Sequence, residues 1–314
     1  MTSILVTGGA GFIGSHTVDF LLQQGWRVIV FDNLSTGNRA YLNLQHPQLE
    51  FIQDDVLNAS ALINVMRRCD AVLHLAALAS VPYSIANPLQ SHQVNTLGFL
   101  QVLEAIRQVE RPIRLVYASS AAVYGDTTVL PCSEDEFSGN HCLLSPYALE
   151  KMHNEQYADL YARLFGINSL ALRYFNVYGA RQDPRSPYSG VISRFLDGYR
   201  NDQEITIFGD GLQSRDFIHI ADVVRANYLA LQSDYCGVLN VATGVPETLL
   251  NLVSYIEAVG KKPAHLYFAS RREGDIYISY ADTQKAQHCL QFRYAIPLEQ
   301  GVGLMIAEGG QFKV

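Results

Sequence analysis

The chain of 314 residues has 23 basic and 30 acidic side chains, a formal net charge of -7, and 48% hydrophobic residues. A chain of this length can bury a substantial core in one large domain or two. The negative balance and the lack of a basic run argue against a nucleic-acid partner, although a few local arginines would suffice for an anionic substrate.

The first 32 residues predict a nucleotide-binding turn between a strand and a helix. An apolar run at residues 4–6 stops at glycines, and apolar residues then recur at helical spacing. Gly8 allows the turn, Gly11 lets the backbone approach a pyrophosphate, and Gly14 lets the helix pack closely. The unpaired N–H groups at the helix N-terminus would face the phosphates. Three spaced glycines alone are often only a strand-to-helix turn.

Asp32 strengthens the nucleotide-binding interpretation. It ends a second apolar strand, residues 27–31, at the distance where a carboxylate can hold both hydroxyls of an adenosine ribose. A carboxylate would repel the 2′-phosphate of NADP, so the sequence favours NAD as the cofactor. Arg39 leaves NADP open as a weaker alternative.

Further apolar runs alternate with amphipathic helical patterns. They predict strands at residues 49–53, 71–75, 114–118, 169–173 and 238–241. Such alternation is typical of an α/β protein, here a Rossmann-type doubly wound parallel sheet with a smaller C-terminal α/β substrate-binding lobe. We assign residues 1–178 and 216–245 to an NAD-binding domain, and residues 179–215 and 246–314, richer in Gly, Pro, Tyr and Arg, to the lobe.

A tyrosine and a lysine one helical turn apart are candidates for the chemistry. Ser145 and Pro146 predict a capped helix start, so Tyr147 and Lys151 fall on one helix face. A tyrosine with an ordinary pKa of about 10 is a poor base at neutral pH. An adjacent ammonium and a positively charged nicotinamide would both favour the phenolate.

Ser119 and Ser120 lie at the carboxyl end of the predicted strand 114–118, where such sheets bind ligands. Ser120 could hydrogen-bond the same substrate oxygen as Tyr147, so that proton removal accompanies hydride transfer. A Tyr-x-x-x-Lys spacing alone arises by chance on exposed helices. Together with the nucleotide motif and this serine, it predicts a nicotinamide-dependent redox step.

Other residue types give no sign of export, membrane insertion or a metal. No apolar stretch reaches membrane-spanning length, and the first strand follows Met1 too closely for a signal peptide, so we expect a cytoplasmic protein without membrane contact. The five cysteines lack disulfide or zinc spacing, and we expect them to be reduced and structural. The nine histidines form no metal-ligand cluster.

With these residues in place, the sequence resembles the extended short-chain dehydrogenase/reductases, specifically the branch of NAD-dependent nucleotide-sugar epimerases and dehydratases, of the UDP-glucose and UDP-N-acetylglucosamine 4-epimerase type. The resemblance covers essentially the whole chain. The segments that carry it are residues 7–14, 32–37, 55–56, 74–77, 95, 118–125, 147 with 151, 173–179, 215–216 and 272–275.

The resemblance implies roles for individual residues. Ser120, Tyr147 and Lys151 would be catalytic. The implied cofactor-binding residues are Gly8, Gly11, Phe12, Ile13, Gly14, Asp32, Asn33, Ser35, Thr36, Gly37, Asp55, Val56, Leu75, Ala76, Ala77, Asn95, Tyr147, Lys151 and Phe175. Within this set, Asp55 and Val56 would contact the adenine, and Phe175 would lie on the nicotinamide side.

The resemblance also implies a UDP-sugar site. Its residues would be Ala79, Ser119, Ser120, Asn176, Val191, Ile207, Phe208, Arg215, Arg272, Asp275 and Ser279. Asn176 would meet the sugar diphosphate, Arg215 and Arg272 the phosphates, Asp275 the nucleoside ribose, and residues 207–208 the uracil. Two arginines suit a diphosphate because each guanidinium can make two parallel charge-assisted bonds. Solvated surface charges are the alternative for both arginines.

The resemblance narrows the reaction. Dehydratases of this family usually carry an Asp-Glu pair just after the position of Ser120, where this chain has Ala121 and Ala122. The implied reaction is therefore C4 epimerisation through a transient 4-keto sugar with NAD regenerated in each turnover. A UDP-glucuronate epimerase or decarboxylase is less favoured because we identify no site for its carboxylate.

Substrate choice depends on Ser279, four residues after the aspartate of the Arg-x-Gly-Asp pattern. Glucose-type enzymes of the family tend to place a tyrosine there, so serine would make room for an N-acetyl group. Ala79 and residues 181–184 favour the same interpretation, which predicts UDP-N-acetylglucosamine and UDP-N-acetylgalactosamine as the pair interconverted. A register shift that placed Tyr277 or Tyr280 in the pocket would instead favour UDP-glucose and UDP-galactose.

Two other classes of function stay open at this point. One is a non-catalytic NAD-binding protein, since fold alone does not imply chemistry, although this chain keeps both Tyr147 and Lys151. The other is a one-way dehydrogenase or reductase that releases its cofactor.

The predicted helices 88–109 and 146–165 have apolar residues on more than one face, and the resemblance implies that they form a four-helix bundle in a homodimer. They could also merely cover the sheet.

Overall fold

Strands and helices alternate along most of the chain. The computed structural model describes residues 2–135, 142–183, 190–271 and 276–308. The strands are β1 (Ser3–Thr7), β2 (Arg27–Phe31), β3 (Leu49–Ile52), β4 (Ala71–His74), β5 (Arg114–Ser120), β6 (Ser169–Tyr174), β7 (Asn176–Tyr178), β8 (Ile205–Phe208), β9 (Ser214–His219), β10 (Gly237–Val241), β11 (Pro246–Thr248), β12 (Leu266–Ala269) and β13 (Ile278–Ser279). The helices are α1 (Phe12–Gln23), α2 (Ala59–Met66), α3 (Val81–Ala86), α4 (Pro88–His92), α5 (Gly98–Arg107), α6 (Pro146–Phe165), α7 (Val191–Arg200), α8 (Ile220–Gln232), α9 (Leu249–Gly260), α10 (Gln284–Leu290) and α11 (Leu298–Glu308).

Seven parallel strands form the central sheet, in the order β10–β6–β5–β4–β1–β2–β3. Leu5 in β1 pairs with Ile29 of β2 on one side and with Val72 of β4 on the other. The chain fills the sheet outward from β1 in both directions, so a crevice opens at the carboxyl ends of β1 and β4. The predicted Rossmann-type sheet is confirmed.

Apolar side chains on both faces of the strands hold the helices against the sheet. Ile4 and Val6 belong to the core on one face, with α1 and α8, and Leu5 belongs to the core on the other, with α2 and α5. None of these three side chains has exposed surface. Burying a side chain of this size is worth roughly 1.5–3 kcal/mol, so these two cores fix the crevice between rigid elements.

A third core joins α7, α9 and α11 in the part of the chain predicted as the substrate lobe. Leu196, Leu252 and Val302 are fully buried within it. Beside it lie a parallel pair of strands, β8 with β12, and a small sheet in which β9 pairs with β7, β11 and β13. Tyr178 and Phe217, assigned from sequence to the NAD-binding domain, also belong to this core. The domain limits stay a prediction.

Two predicted helices position the site. The predicted helix 88–109 consists of α4, a π-helical turn at Gln93–Leu97, and α5. The predicted start of α6 is confirmed, because the Ser145 hydroxyl accepts the backbone N–H of Ala148 at 3.1 Å.

None of the helices within the described ranges combines the length and the apolarity that a bilayer crossing would need.

Candidate active site

The glycine-rich turn between β1 and α1 leaves no room for side chains. Gly8 has φ +69°, and a Cβ on it would lie 2.7 Å from the backbone nitrogen of Ala76. A Cβ on Gly14 would lie 2.2 Å from the carbonyl oxygen of Gly8, so α1 can begin this close to the turn only because both residues are glycine. Gly11 caps α1 without a side-chain hydrogen bond, which leaves the helix N-terminus available to an anion.

Asp32 lies just beyond β2 and is buried. Its Oδ2 accepts the backbone N–H of Ala10 at 2.9 Å, and its Oδ1 accepts that of Leu34 at 2.8 Å. Burial raises the pKa of this carboxyl, and the two N–H groups partly offset the rise. Each carboxylate oxygen keeps a further lone pair, so Asp32 can still accept ribose hydroxyls. The guanidinium of Arg39 instead packs over the ring of Phe51, at 5.2 Å from its centroid.

The residues predicted to surround the adenine come together at the ends of β2 and β3. Asn33 Nδ2 donates to Asp55 Oδ2 at 2.7 Å, and Asp55 Oδ1 accepts the N–H of Leu57 at 2.9 Å. Val56 is buried beside this pair. The backbone N–H of Ser35 donates to Asn33 Oδ1 at 2.9 Å and orients the Asn33 side chain. The bond from Asn33 to Asp55 therefore ties the loop after β2 to the loop after β3.

The loop after β4 lies against the glycine-rich turn. The N–H of Leu75 donates to the carbonyl of Thr7 at 3.1 Å, and Ala76 lies next to Gly8. Asn95, predicted from sequence to contact the cofactor, is 1% exposed. Its amide instead bonds both backbone groups of Leu78. The structure therefore gives Asn95 a role in shaping this loop, and its contact with the cofactor stays a prediction.

Ser120, Tyr147 and Lys151 converge where β5 ends against α6. Ser120 lies near enough to Tyr147 for a side-chain hydrogen bond to lower the pKa of the Tyr147 hydroxyl. Lys151 is 3% exposed, donates from Nζ to the carbonyl oxygen of Ala118 at 2.8 Å, and holds Nζ 5.8 Å from the centre of the Tyr147 ring. The backbone N–H of Tyr147 donates to the Ser84 hydroxyl at 3.1 Å. The three predicted catalytic side chains thus form one group.

Burial opposes the charged forms of both members of the pair. It raises the pKa of the Tyr147 hydroxyl to about 12, with a lowering from the Ser120 hydrogen bond and a further rise from the Glu150 charge. It lowers the pKa of the Lys151 ammonium to about 8, against an upward pull from Glu150 and Glu155. Without a bound cation, the phenolate expected from sequence is therefore disfavoured by desolvation.

Ser119 faces the interior, because successive residues of a strand point to opposite faces. Its hydroxyl donates to Glu155 Oε1 at 2.5 Å, and it is 2% exposed. Glu155 also binds Arg173 through two bonds, at 2.9 and 2.7 Å. The predicted contact of Ser119 with the substrate would require the hydroxyl to leave this buried ion pair.

Several predicted substrate residues line β7, β9 and β13. Asn176 Nδ2 donates to the carbonyl oxygen of Asp216 at 3.0 Å. In the pairing of β13 with β9, Ser279 lies opposite Arg215. Asp216 itself accepts hydrogen bonds from Thr243, residue 244 and residue 281, so it fixes the surrounding backbone.

The remaining predicted substrate residues have varied surroundings. Ile207 is fully buried in the third core, so only its backbone could meet a uracil, whereas Phe208 and Val191 keep partial exposure and Ala79 is exposed. Arg272 and Asp275 lie outside the described residues.

Arg181 is part of the segment that sequence associated with the acetylated sugar. Its guanidinium binds Asp19 of α1 at 2.7 Å and lies 5.7 Å from the centre of the Tyr41 ring. This places the Arg181 side chain against α1, and Pro184, the last residue of the segment, lies outside the described residues.

The model of the NAD dependent epimerase/dehydratase family matches residues 4–242, from β1 through β10. This chain belongs to that family. The UDP-glucose 4-epimerase of Homo sapiens is 33% identical over 332 aligned positions, and the match covers 95% of this chain and 93% of that protein.

Two solved structures of the epimerase type superpose along nearly the whole chain. One is a UDP-N-acetylglucosamine 4-epimerase from Methanobrevibacter ruminantium in complex with UDP-N-acetylmuramic acid, with a TM-score of 0.92, 38% identity and coverage of 98% and 97% of the two chains. The other is a UDP-glucose 4-epimerase from Thermotoga maritima with UDP-glucose, with a TM-score of 0.93, 34% identity and coverage of 99% of each.

NAD, the cofactor of this epimerase/dehydratase family, fits the residues present. A Cβ at Gly8 or Gly14 would fill the cradle at the N-terminus of α1. Asp32 presents a carboxylate at the end of β2, suited to ribose hydroxyls and unsuited to a 2′-phosphate. The cofactor predicted from sequence is confirmed.

Sequence reasoning missed two buried acids on the catalytic helix, Glu150 and Glu155. Their spacing could have revealed them, because Glu150 is three residues after Tyr147 and Glu155 is four residues after Lys151. Both spacings place side chains on neighbouring parts of one helix face.

Proposed function

We propose that this NAD-dependent UDP-sugar 4-epimerase interconverts UDP-N-acetylglucosamine and UDP-N-acetylgalactosamine through a transient 4-keto sugar. The family membership and the convergence of Ser120, Tyr147 and Lys151 support the epimerase chemistry. The single observation that carries the acetylated choice is the position of Ser279 beside Arg215.

Ser279 presents a small side chain at a point where the sugar would lie. Arg215, its strand neighbour, is the predicted phosphate ligand, so a diphosphate bound there would hold the attached sugar near β13. Tyr280 lies just beyond the end of β13, so the strand pairing places Ser279, and not Tyr280, opposite Arg215. The Tyr277 hydroxyl donates to Asp210 Oδ2 at 3.2 Å, so this side chain is bonded to the loop after β8.

In the proposed reaction, Tyr147 removes the proton from the sugar's C4 hydroxyl while Ser120 hydrogen-bonds the same oxygen. Lys151 contributes a positive charge that favours the phenolate. When bound, NAD supplies the acceptor and donor of the C4 hydride, and residues 8–14 with Asp32 would hold it. After the sugar ring turns about its diphosphate link, the hydride would return to the opposite face of C4 and Tyr147 would return the proton to the C4 oxygen.

The second candidate is UDP-glucose 4-epimerase activity. It is favoured by the relatives that carry that name, one of them solved with UDP-glucose. A pocket that admits an N-acetyl group does not exclude the smaller hydroxyl, so the two candidates differ in relative rates and not in mechanism.

The test is proton NMR of the purified protein with each UDP-sugar separately and no added cofactor, following the C4-inverted anomeric signal. Faster conversion of the acetylated sugar would support the proposal. Conversion of UDP-glucose alone would favour the second candidate. No conversion of either sugar, even with NAD added, would overturn the proposed substrates and favour a UDP-glucuronate epimerase or decarboxylase, or a non-catalytic NAD-binding protein.

Ser279→Tyr tests the pocket directly. Overpacking costs roughly 1–3 kcal/mol, so turnover of the acetylated sugar should fall about tenfold or more while that of UDP-glucose changes little. Ser254→Tyr, on the exposed face of α9, is the matched control and should change neither. Equal losses for both sugars with Ser279→Tyr would contradict the assignment of this residue.

We also propose a homodimer through a four-helix bundle that includes α6. Exposed apolar side chains concentrate on the helical segment 81–107 and on α6, which supports a protein partner there. They are Val81, Ile85, Leu89, Leu97, Leu149, Leu160, Leu164 and Phe165. Leu89→Glu combined with Leu164→Glu should convert the dimer to a monomer in light scattering, and an unchanged mass would refute the interface.

The domain limits and the cytoplasmic location stay predictions.

A further inference from the structure

Glu150 is a buried carboxylate on the helix that carries Tyr147 and Lys151, and the chemistry described above gives it no part. It is 3% exposed. Its Oε2 accepts hydrogen bonds from Ser91 Oγ at 2.8 Å and from Asn95 Nδ2 at 2.7 Å. Its Oε1 has no hydrogen-bond partner among the residues that the structure describes. A buried carboxylate is costly unless it is paired, so its presence beside the catalytic pair requires an explanation.

Asn95 links this carboxylate to the loop after β4. Asn95 Oδ1 accepts the N–H of Leu78 at 2.7 Å, and Nδ2 donates to the carbonyl of Leu78 at 3.2 Å. Asn95 lies in the π-helical turn Gln93–Leu97, a type of turn that is frequent at functional sites. Leu78 lies between Ala77, predicted at the cofactor, and Ala79, predicted at the sugar. Glu150 is therefore connected through one side chain to the loop that presents both ligands.

Glu150 also provides the net negative charge beside Lys151. The other acid on α6 that acts on Lys151 is Glu155, which is neutralised by its ion pair with Arg173. Two further buried titratable groups lie on neighbouring strands: His74 on β4, which the Lys151 charge influences, and Tyr117 on β5, which the Glu155 charge influences. Burial and the Lys151 charge lower the pKa of His74 to about 3, and burial raises the pKa of Tyr117 above its usual range. Both therefore stay uncharged at working pH.

We propose that Glu150 is a positioning residue for the catalytic pair: its carboxylate anchors the loop 75–80 through Asn95 and places a negative charge next to Lys151 on α6. The inference rests on the proposed epimerase activity. It explains why the helix tolerates a buried charge that disfavours the Tyr147 phenolate, because the same charge retains the proton on Lys151.

Two substitutions separate the two actions of Glu150. Glu150→Gln keeps the shape and an acceptor for Asn95 but removes the charge. Both Tyr147 and Lys151 lose an upward influence on their pKa, so the whole pH profile of kcat should move to lower pH by about one unit. Glu150→Asp keeps the charge but shortens the side chain, so its profile should stay in place while KM for the UDP-sugar rises about threefold or more. Asp159→Asn, an exposed acid on α6, is the control and should change neither quantity.

The sugar used is whichever UDP-sugar the wild-type enzyme converts, and the NAD content and circular dichroism of each variant are measured first. A Glu150→Gln profile that falls in amplitude without moving would show a merely structural residue and overturn the proposed charge effect. If Glu150→Gln does not fold, Glu150→Asp alone tests the proposal. In that variant, an unchanged KM for the UDP-sugar or a displaced pH profile of kcat would overturn it. A wild-type protein inactive on both sugars would overturn the proposed substrates, whereas an active wild type with unmoved variants would overturn this inference alone.

Discussion

The buried ion pair between Glu155 and Arg173 should be one of the most sensitive positions in the protein. Glu155 is 9% exposed and Arg173 is 3% exposed, and two bonds of 2.9 and 2.7 Å join them. Glu155→Gln preserves the shape but leaves the guanidinium without its counter-charge. Removing one partner of a buried pair costs about 3–5 kcal/mol. At roughly 2–4 °C per kcal/mol for a chain of this size, the Tm should fall by about 5–20 °C.

The assay is thermal unfolding with saturating NAD, and α6 offers a matched control. Asp159 pairs with Arg163 at 2.8 Å, but both side chains are 67% exposed. A pair this exposed contributes about 0–1 kcal/mol, so Asp159→Asn should lower the Tm by only a few degrees. The double variant Glu155→Leu with Arg173→Met should recover most of the loss, because replacing both partners with apolar groups is often neutral. Equal melting of Glu155→Gln and Asp159→Asn would refute this reasoning.

Two further predictions concern Lys151 and the glycine-rich turn. Burial lowers the pKa of Lys151 to about 8 from 10.5, so between those pH values the unfolded chain binds more protons than the folded one, and the stability that this group contributes rises with pH. Relative to Lys151→Met, the free energy of unfolding of the wild type in urea should rise by up to about 3 kcal/mol between pH 8 and 10.5. A difference that stays constant with pH would contradict the burial of the ammonium. Gly8→Ala should reduce the NAD content of the purified protein about tenfold or more, because its Cβ would collide with Ala76. Gly25→Ala has a similar φ, +77°, but open space around its Cβ, so it should cost about 1–2 kcal/mol and retain NAD, and equal NAD loss in both variants would show that strain alone is responsible.

The sheet could be predicted from sequence because most of its strands are apolar runs, and those of β1, β2, β3 and β5 end at glycine or polar residues. The start of α6 could also be predicted from sequence, since Ser145 and Pro146 form a local helix-capping signal that needs no tertiary contact. The convergence of Ser120 with Tyr147 followed from a general rule about the carboxyl edge of parallel sheets.

Other features depend on contacts between distant parts of the chain. The amide of Asn95 turns toward Leu78 because a π-helical turn interrupts the predicted helix, and no pattern in residues 88–109 announces that turn. Ser119 belongs to a buried ion pair whose members, Glu155 and Arg173, come from two other elements. Arg181 lies against α1 through Asp19, a partner that its own segment could not reveal.

The position of β10 constrains how this protein can be made. β10 completes one edge of the central sheet by pairing with β6, yet the chain forms β7, β8 and β9, which belong to other sheets, before it returns to form that strand. During synthesis, β6 therefore emerges with its outer edge unpaired until residues Gly237–Val241 follow. An unpaired edge is a template for aggregation, so a fragment ending at residue 178 should aggregate more readily than the whole chain.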